Sequence, residues 1–317
     1  MITIFTPTYN REKTLPKLFT SLKNQSSKNF EWIVIDDEST DKTEDLLNSF
    51  INENCDFDIH YEKQNHGGKH RAINRAVKLA KYDWFFIVDS DDYLSDDAVE
   101  KLENWILENK NNEKVGIISG SRFDIVQKKQ LATPDFLFLN VGFKCFNHKR
   151  ADFKLVGDRA EIYKTDILRK HPFLEYENEY FVTEDVCWNS ISKSGYYTAF
   201  YPDVIYFNEY RDDGLTKTGA NEYIGAFNNF NGFLESVKIR LQLNGICPET
   251  YVALRTALKI ANVKKIKLAE LAEKLEIPLW KIKKIKSLAF KYFLFRVFRK
   301  LMNKCDISKG VINERRK

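Results

Sequence analysis

The sequence predicts an α/β protein with a mainly parallel sheet and a helical C-terminal extension. Three observations carry this expectation. Short apolar segments alternate with amphipathic helical segments through the first 110 residues, the pattern of right-handed βαβ units. Two of the apolar segments end in clusters of acids. From about Tyr223 onward the apolar spacing is helical, with no further strand signal.

In chain order, Ile2–Thr6 reads as the first strand, and Pro7-Thr8-Tyr9-Asn10 as the loop before a helix carrying Leu15, Leu18, Phe19 and Leu22. The second strand, Trp32–Ile35, stops at Asp36-Asp37. Ser39-Thr40-Asp41 then caps a helix around Leu46, Leu47 and Phe50. Ile59-His60-Tyr61 is a short third strand. Gly67-Gly68-Lys69-His70 opens a helix through Ala72, Ile73, Ala76, Val77 and Ala80.

The fourth strand organises the rest. Trp84-Phe85-Phe86-Ile87-Val88 is apolar on both faces, as a buried parallel strand should be, and it ends at Asp89-Ser90-Asp91-Asp92. In open α/β sheets ligands sit outside the carboxyl ends of the strands, so these acids are expected at the rim of a binding crevice. Strand alternation would send Asp89 and Asp91 the same way, toward one hard cation or one set of hydroxyls. Ser95 or Asp96 suffices to cap the helix that follows, which leaves the three earlier acids for another task. Val115–Ser119 is a fifth strand.

Composition narrows the function classes. The chain has 317 residues, is 14% aromatic and 30% charged, and contains no apolar run near the roughly 20 residues that cross a bilayer. Met1 leads directly into a strand without a signal segment, so a cytoplasmic location is expected. Five cysteines lie far apart with no CxxC pair, which argues against a disulfide framework and a cysteine zinc site. The net charge of +5 is unevenly distributed: Lys281–Lys317 holds thirteen Lys or Arg against Asp306 and Glu314. The remaining body is therefore mildly acidic, and the tail suits an anionic surface.

Four motifs in this order, Thr6-Pro7-Thr8-Tyr9-Asn10, Ile35-Asp36-Asp37-Glu38-Ser39-Thr40-Asp41, Gly67-Gly68-Lys69-His70-Arg71-Ala72-Ile73-Asn74 and Val88-Asp89-Ser90-Asp91-Asp92, resemble the family 2 glycosyltransferases of the GT-A fold. The resemblance implies a Rossmann-like nucleotide-diphospho-sugar transferase domain over residues 1–220. Residues 1–110 would form its nucleotide-binding half and 111–220 its acceptor half, with a helical basic region at 221–317. It implies that Tyr9 stacks near the nucleotide base and that one of Asp36 and Asp37 accepts from the base N–H. Asp89 would face the ribose, and Asp91 would ligate Mn²⁺ or Mg²⁺ between the phosphates. The implied nucleotide-sugar contacts also include Pro7, Gly68, Lys69, Arg71, Asn74, Ser90 and Asp92. Many members place Arg just before the residue corresponding to Asn74. Ile73 stands there, so the cationic contact falls to Lys69, His70 or Arg71.

Gly157–Tyr163 and Glu179–Trp188 resemble the family's acceptor side, where a carboxylate acts as general base at the head of a helix. Glu184 and Asp185 both qualify, with Asp185 ranked first. An inverting transfer needs such a base, because the acceptor hydroxyl is a poor nucleophile until its proton is taken. Tyr210-Arg211-Asp212-Asp213-Gly214 resembles the segment that closes over the nucleotide, with Arg211 a diphosphate contact.

Leu279–Met302 mixes lysines and arginines with Trp280, Phe290, Tyr292, Phe293, Phe295 and Phe298, which suits shallow insertion into an anionic leaflet. The expected enzyme is a metal-dependent inverting hexosyl- or N-acetylhexosaminyl-transferase, peripheral on the inner face of the membrane. It would move sugar from a nucleotide-diphosphate donor, a UDP-sugar first, to a saccharide or lipid-linked saccharide of a surface polysaccharide, teichoic acid or glycolipid. One alternative is a sugar-nucleotide nucleotidyltransferase. The other is a DNA-binding protein using the helix-turn-helix-like spacing of Leu271–Ile285, although Glu276 stands where that turn normally carries Gly and no nucleic acid partner is expected.

Overall fold

Alternate residues of each central strand enter opposite cores, and this period of two fixes the layers. Ile2, Ile4, Trp32, Val34, Trp84 and Phe86 belong to one apolar cluster. Their neighbours Phe5, Ile33, Ile35, Phe85 and Ile87 belong to the other. The computed structural model describes residues 1–131, 141–155, 157–209 and 222–287.

The strands are β1 (Ile2–Thr8), β2 (Phe30–Asp36), β3 (Asp58–Lys63), β4 (Trp84–Ile87), β5 (Tyr93–Leu94), β6 (Val115–Asp124), β7 (Lys129–Gln130), β8 (Phe143–Cys145), β9 (Arg159–Lys164) and β10 (Tyr197–Asn208). They form one sheet in the order β3-β2-β1-β4-β9-β6-β10-β5, with β7 on β6 and β8 on β10. The pairings β3-β2, β2-β1, β1-β4 and β6-β10 are parallel, whereas β9 runs antiparallel between β4 and β6. Helices α1 (Leu15–Lys23), α2 (Thr43–Asn52) and α4 (Ala98–Asn109) cover the first cluster. Helices α3 (Lys69–Leu79), α5 (Thr165–Lys170) and α6 (Asp185–Lys193) cover the second. The result is a three-layer α/β/α arrangement.

Strand order reverses between β1 and β4, because β2 and β3 continue on one side and β9 and β6 on the other. Such a switch point splays the two following loops apart and opens a crevice at the carboxyl ends of the strands. The loops after β1, β2 and β4 all open there.

Two details differ from the expected local pattern. Strand β4 ends at Ile87, and Ser90-Asp91 form a turn in which the Asp92 N–H donates to the Asp89 carbonyl at 3.1 Å. A turn, not strand alternation, therefore sets the relation of Asp89 to Asp91. At α4 the N-cap position is Asp97, with no side-chain cap, and Ser95 Oγ donates to Asp97 at 2.7 Å.

The chain divides into two compact units, Met1–Gly232 and Phe233–Lys317, where the sequence reading placed the boundary at 220/221. Helices α7 (Glu222–Asn228), α8 (Phe230–Asn244), α9 (Pro248–Val263) and α10 (Leu268–Lys274) follow the sheet. Residues 279–287 are helical again. Between α10 and that segment, Glu276 adopts φ +53°, the left-handed conformation that a helix-turn-helix turn usually gives to Gly. Leu271, Ala272, Leu275, Ile282 and Ile285 are buried around it. Among the described residues no helix is long and apolar enough to cross a membrane. Cys55, Cys145, Cys187 and Cys247 are free thiols. Arg211 and the aromatic tail from 288 onward lie outside the described residues.

Candidate active site

The loops after β1 and β2 are tied together, which fixes the floor of the crevice. Asn10, at φ +52°, donates its N–H to Ser39 Oγ at 2.8 Å and accepts from the Thr40 N–H at 2.8 Å. The Arg11 N–H donates to Thr43 Oγ1 at 2.8 Å. Pro7 lies within β1, and the exposed Tyr9 ring just beyond it is 5.1 Å from the His66 ring.

The two acids after β2 turn inward. Asp36 is fully buried and accepts from the Ser39 N–H and hydroxyl at 2.9 and 2.5 Å and from Tyr61 OH at 3.3 Å. Asp37 accepts from Gln64 Nε2 and from the Gly67 and Gly68 N–H groups at 2.7–2.9 Å, and His66 Nδ1 lies 3.0 Å away. A carboxylate offers about four acceptor sites. Asp37 thus spends its acceptor capacity on holding the Gly-Gly turn against β2.

That turn aims the head of α3. Gly68 has φ +90°, and a Cβ there would lie 1.9 Å from the Tyr180 carbonyl oxygen. Only glycine allows this approach, which brings the Tyr180 segment down on the start of α3. The next residue, Lys69, reaches both sides of the crevice: Nζ lies 2.6 Å from Asp89 Oδ1 and 2.7 Å from Glu184 Oε1. Burial opposes the Lys69 charge, but Asp89 and Glu184 outweigh it and raise the ammonium above its ordinary range.

His70 and Arg71 do not share this role. His70 is buried with neither ring nitrogen hydrogen-bonded, and burial, then Arg71, hold its imidazole below the usual range. Arg71 donates to the Tyr176 carbonyl at 2.6 Å. Asn74 donates to the Phe173 carbonyl and Glu175 at 2.8 Å each and accepts from the Phe173 N–H at 2.9 Å. Arg71 and Asn74, expected at the nucleotide, clip the 173–176 segment to α3.

After β4, burial works to raise the Asp89 carboxyl, but Lys69 and then Arg122 hold it below the usual carboxylate range. Among the described residues Asp91 has no such partner. Burial, then the Asp89 charge, push it up, with Arg11 and Lys69 pulling the other way. Asp92 is buried and accepts from Tyr206 OH and Asn208 Nδ2 at 2.9 and 2.8 Å. Burial, Asp89 and Asp91 push its carboxyl up to about 7. Ser90, between them, is buried.

Because the folded Asp92 binds its proton more tightly than the unfolded chain does, it favours folding at low pH and loses that contribution as pH rises from 3.8 through about 7. In chelator, Asp92→Asn is therefore expected to gain melting temperature over wild type as pH rises across this window. Thermal melts at several pH values check it; a constant difference would show that Asp92 does not titrate there.

Three carboxylates in four positions, two of them pushed upward by burial and then by the Asp89 charge, suit a hard divalent cation. Among the described residues no three His, Cys, Asp or Glu side chains gather around one point. The donor set fits a Mg²⁺- or Mn²⁺-type ion that takes one carboxylate from the protein and its other ligands from phosphate and water. Asp91, which pairs with no cationic side chain among the described residues, is the residue that could hold it.

Across the crevice, Glu184 is the N-cap of α6 and Asp185 its first residue, where the helix dipole favours an acid. Thr183 Oγ1 donates to Asp185, and Glu184 takes the Lys69 ion pair.

Arg122 and Tyr206 did not emerge from the sequence. Arg122, near the carboxyl end of β6, lies 4.0 Å over the Tyr206 ring and donates to the Arg159 carbonyl at 2.8 Å. Burial works against its charge, but Tyr206, Asp89, Asp92 and Glu184 outweigh it. Tyr206 OH accepts from the Asp89 N–H at 2.9 Å while donating to Asp92. The readable signal was a lone arginine at the end of a buried parallel strand.

The model of Glycosyl transferase family 2 matches residues 3–170. A poly(ribitol-phosphate) beta-glucosyltransferase of Bacillus spizizenii is 33% identical over 121 residues, 38% of this chain and 19% of that protein. The poly(ribitol-phosphate) beta-N-acetylglucosaminyltransferase TarS of Staphylococcus aureus is 32% identical over 111 residues, 34% of this chain and 19% of its own length. The match thus spans about a fifth of these two relatives. Among solved structures, S. aureus TarS 1-349 in complex with UDP-GlcNAc has a TM-score of 0.60 at 18% identity, covering 90% of this chain and 87% of that one. The mannosyltransferase PcManGT from Pyrobaculum calidifontis, in complex with GDP-Man and Mn²⁺, has a TM-score of 0.54 at 16% identity, covering 94% and 82%. At such identities the likeness shows the fold, GT-A.

Proposed function

Since the chain belongs to glycosyl transferase family 2, we propose that it is a metal-dependent inverting glycosyltransferase. It moves a hexosyl or N-acetylhexosaminyl group from a UDP-sugar to a hydroxyl of a growing surface polysaccharide, teichoic acid or glycolipid. The observation that carries this reading is the pair of contacts at Lys69, which bring a donor-side carboxylate, Asp89, and an acceptor-side carboxylate, Glu184, to one cation. The names of the relatives, poly(ribitol-phosphate) glycosyltransferases, support a polyol-phosphate acceptor, and the UDP-GlcNAc complex of TarS supports a uridine donor.

On this reading Tyr9 lies beside the base, and Asp36 and Asp37 shape the loops that receive it. Asp89 faces the ribose. Asp91 would hold Mn²⁺ or Mg²⁺, which when bound would supply positive charge beside the diphosphate. Lys69 and Arg122 add fixed cations on the same side, where charge grows as the sugar departs. Asp185 takes the acceptor proton, and Glu184 keeps Lys69 in register with it. Attack from the face opposite the leaving diphosphate inverts the anomeric centre.

Asp185→Asn is expected to lower kcat about 10²–10⁴-fold, as loss of a general base does, with donor affinity unchanged. Glu184→Gln should weaken donor affinity as well, because it frees Lys69. Transfer assays beside donor titrations separate the two; the reverse pattern would make Glu184 the base.

The enzyme is proposed to sit in the cytoplasm on the inner face of the membrane through residues 279–317. Removing them should release the protein from anionic liposomes. A truncated protein that still sediments with the liposomes contradicts this role.

A further inference from the structure

We propose that Tyr180 and Phe181 form a preset platform for the acceptor saccharide, a site that rests on the glycosyltransferase reading and extends it to the second substrate. Both rings are exposed, at 50% and 45%, on the segment leading into Glu184 and Asp185. Exposed aromatics on a loose loop would mean little. Here the backbone beneath them is fastened at every step.

Glu179 is buried and accepts from the Asn231 N–H, Asn231 Nδ2 and the Gly232 N–H at 2.8, 2.9 and 2.8 Å. The Tyr180 and Phe181 N–H groups both donate to Asn229 Oδ1, at 2.9 and 3.0 Å. Val182 is buried. The Tyr180 carbonyl rests against Gly68, and the Tyr180 ring stacks on His66 at 5.4 Å. Two large apolar rings are therefore held toward solvent by buried polar anchors, so little ordering entropy is lost when something covers them.

Location identifies the occupant. The platform lies three residues before Glu184 and is fastened to the turn that begins α3, whose Lys69 joins Asp89 to Glu184. The rings thus stand on the segment that carries the proposed base, with the Tyr180 ring bordering Tyr9 through His66 and Phe181 the nearer of the two to Glu184 along the chain. The chemistry expected there is a saccharide or polyol. Its C–H face packs on an aromatic face, while its hydroxyls stay in water or reach the acids. Phe181, with no polar atom of its own, offers such a face alone.

The test measures binding of the full chain to immobilised poly(ribitol phosphate) oligomers and an array of bacterial glycans, with UDP and Mn²⁺ present, beside a calorimetric titration of UDP. Phe181→Ala is expected to weaken glycan binding about tenfold, the scale of one lost aromatic contact. Phe181→Trp should retain it, and UDP affinity should stay at the wild-type value in both. Glycan affinity unchanged in both Phe181→Ala and Tyr180→Ala overturns the proposal, as does the absence of any bound glycan on a wild-type protein that binds UDP. Binding to anionic vesicles that Phe181→Ala abolishes, with glycan affinity intact, also overturns it and gives the rings to a membrane. Failure of UDP to bind while glycan binding still depends on Phe181 would sink the donor reading and leave the platform standing.

Discussion

Asp91→Asn is expected to lower sugar transfer by about 10²–10⁴-fold, the several kcal/mol a charge-neutralising metal contributes, without lowering the melting temperature. The two halves of this result have separate causes. Among the described residues Asp91 has no carboxylate-to-cation contact, and its carboxyl is pushed upward by burial and then by Asp89. Removing its charge relieves repulsion in the apo fold. On the proposed reading the same charge would hold a cation at the diphosphate, so transfer is expected to suffer while stability does not. Initial rates at saturating Mn²⁺ and a thermal melt in chelator check the two halves. A variant that loses both together would mark Asp91 as structural.

Gly68→Ala is expected to be as damaging for a different reason. Its Cβ would meet the Tyr180 carbonyl oxygen at 1.9 Å, with the carbonyl carbon at 2.8 Å, and the backbone has φ +90°. Neither neighbour is a flexible side-chain end, so either the start of α3 or the 179–182 segment must move. The cost should be about 2–4 kcal/mol from backbone strain and lost packing. The displacement also separates Lys69 from Glu184. Chemical denaturation and transfer assays together are expected to show a loss of both stability and activity, unlike Asp91→Asn. Gly67→Ala makes a useful contrast, because the nearest atom to its Cβ is Arg71 Cδ at 2.8 Å, part of a long side chain. Near-wild-type stability in Gly68→Ala would contradict the account of this contact.

Local pattern was enough to read most elements up to Ser119. Trp84–Ile87 reads as buried on both faces because both faces are in fact covered, by the clusters containing Phe86 and Phe85. The Gly-Gly before Lys69 reads as a helix start for the same reason that Gly68 is needed there. What local pattern does not carry is pairing across long separations. The antiparallel insertion of β9 between β4 and β6 pairs Lys164 with Trp84 and Tyr163 with Ile117, residues far apart in the chain. The two-residue β5 exists only because β10 pairs with it. The site shows the same division. Asp89 and Glu184 were singled out on their own, but Lys69 joining them was not, since the contact depends on how α3 and α6 meet over the crevice. Nor does local pattern show that Arg71 and Asn74, whose chemistry suits phosphate, also bond the carbonyls of Tyr176 and Phe173. Asp36 accepts from Ser39 and Tyr61, and Asp37 from Gln64, Gly67 and Gly68 in the loop after β3, contacts that a linear reading does not show.

The central claim is that the crevice at the β1/β4 switch point receives a nucleoside diphosphate with a divalent metal. Calorimetric titration of the full chain with UDP and with GDP, each with Mn²⁺ and again with chelator, tests it most directly. The account predicts metal-dependent binding of UDP that Asp91→Asn removes. Absence of binding by either nucleotide with Mn²⁺ present, or UDP binding that chelator and Asp91→Asn leave unchanged, would contradict it.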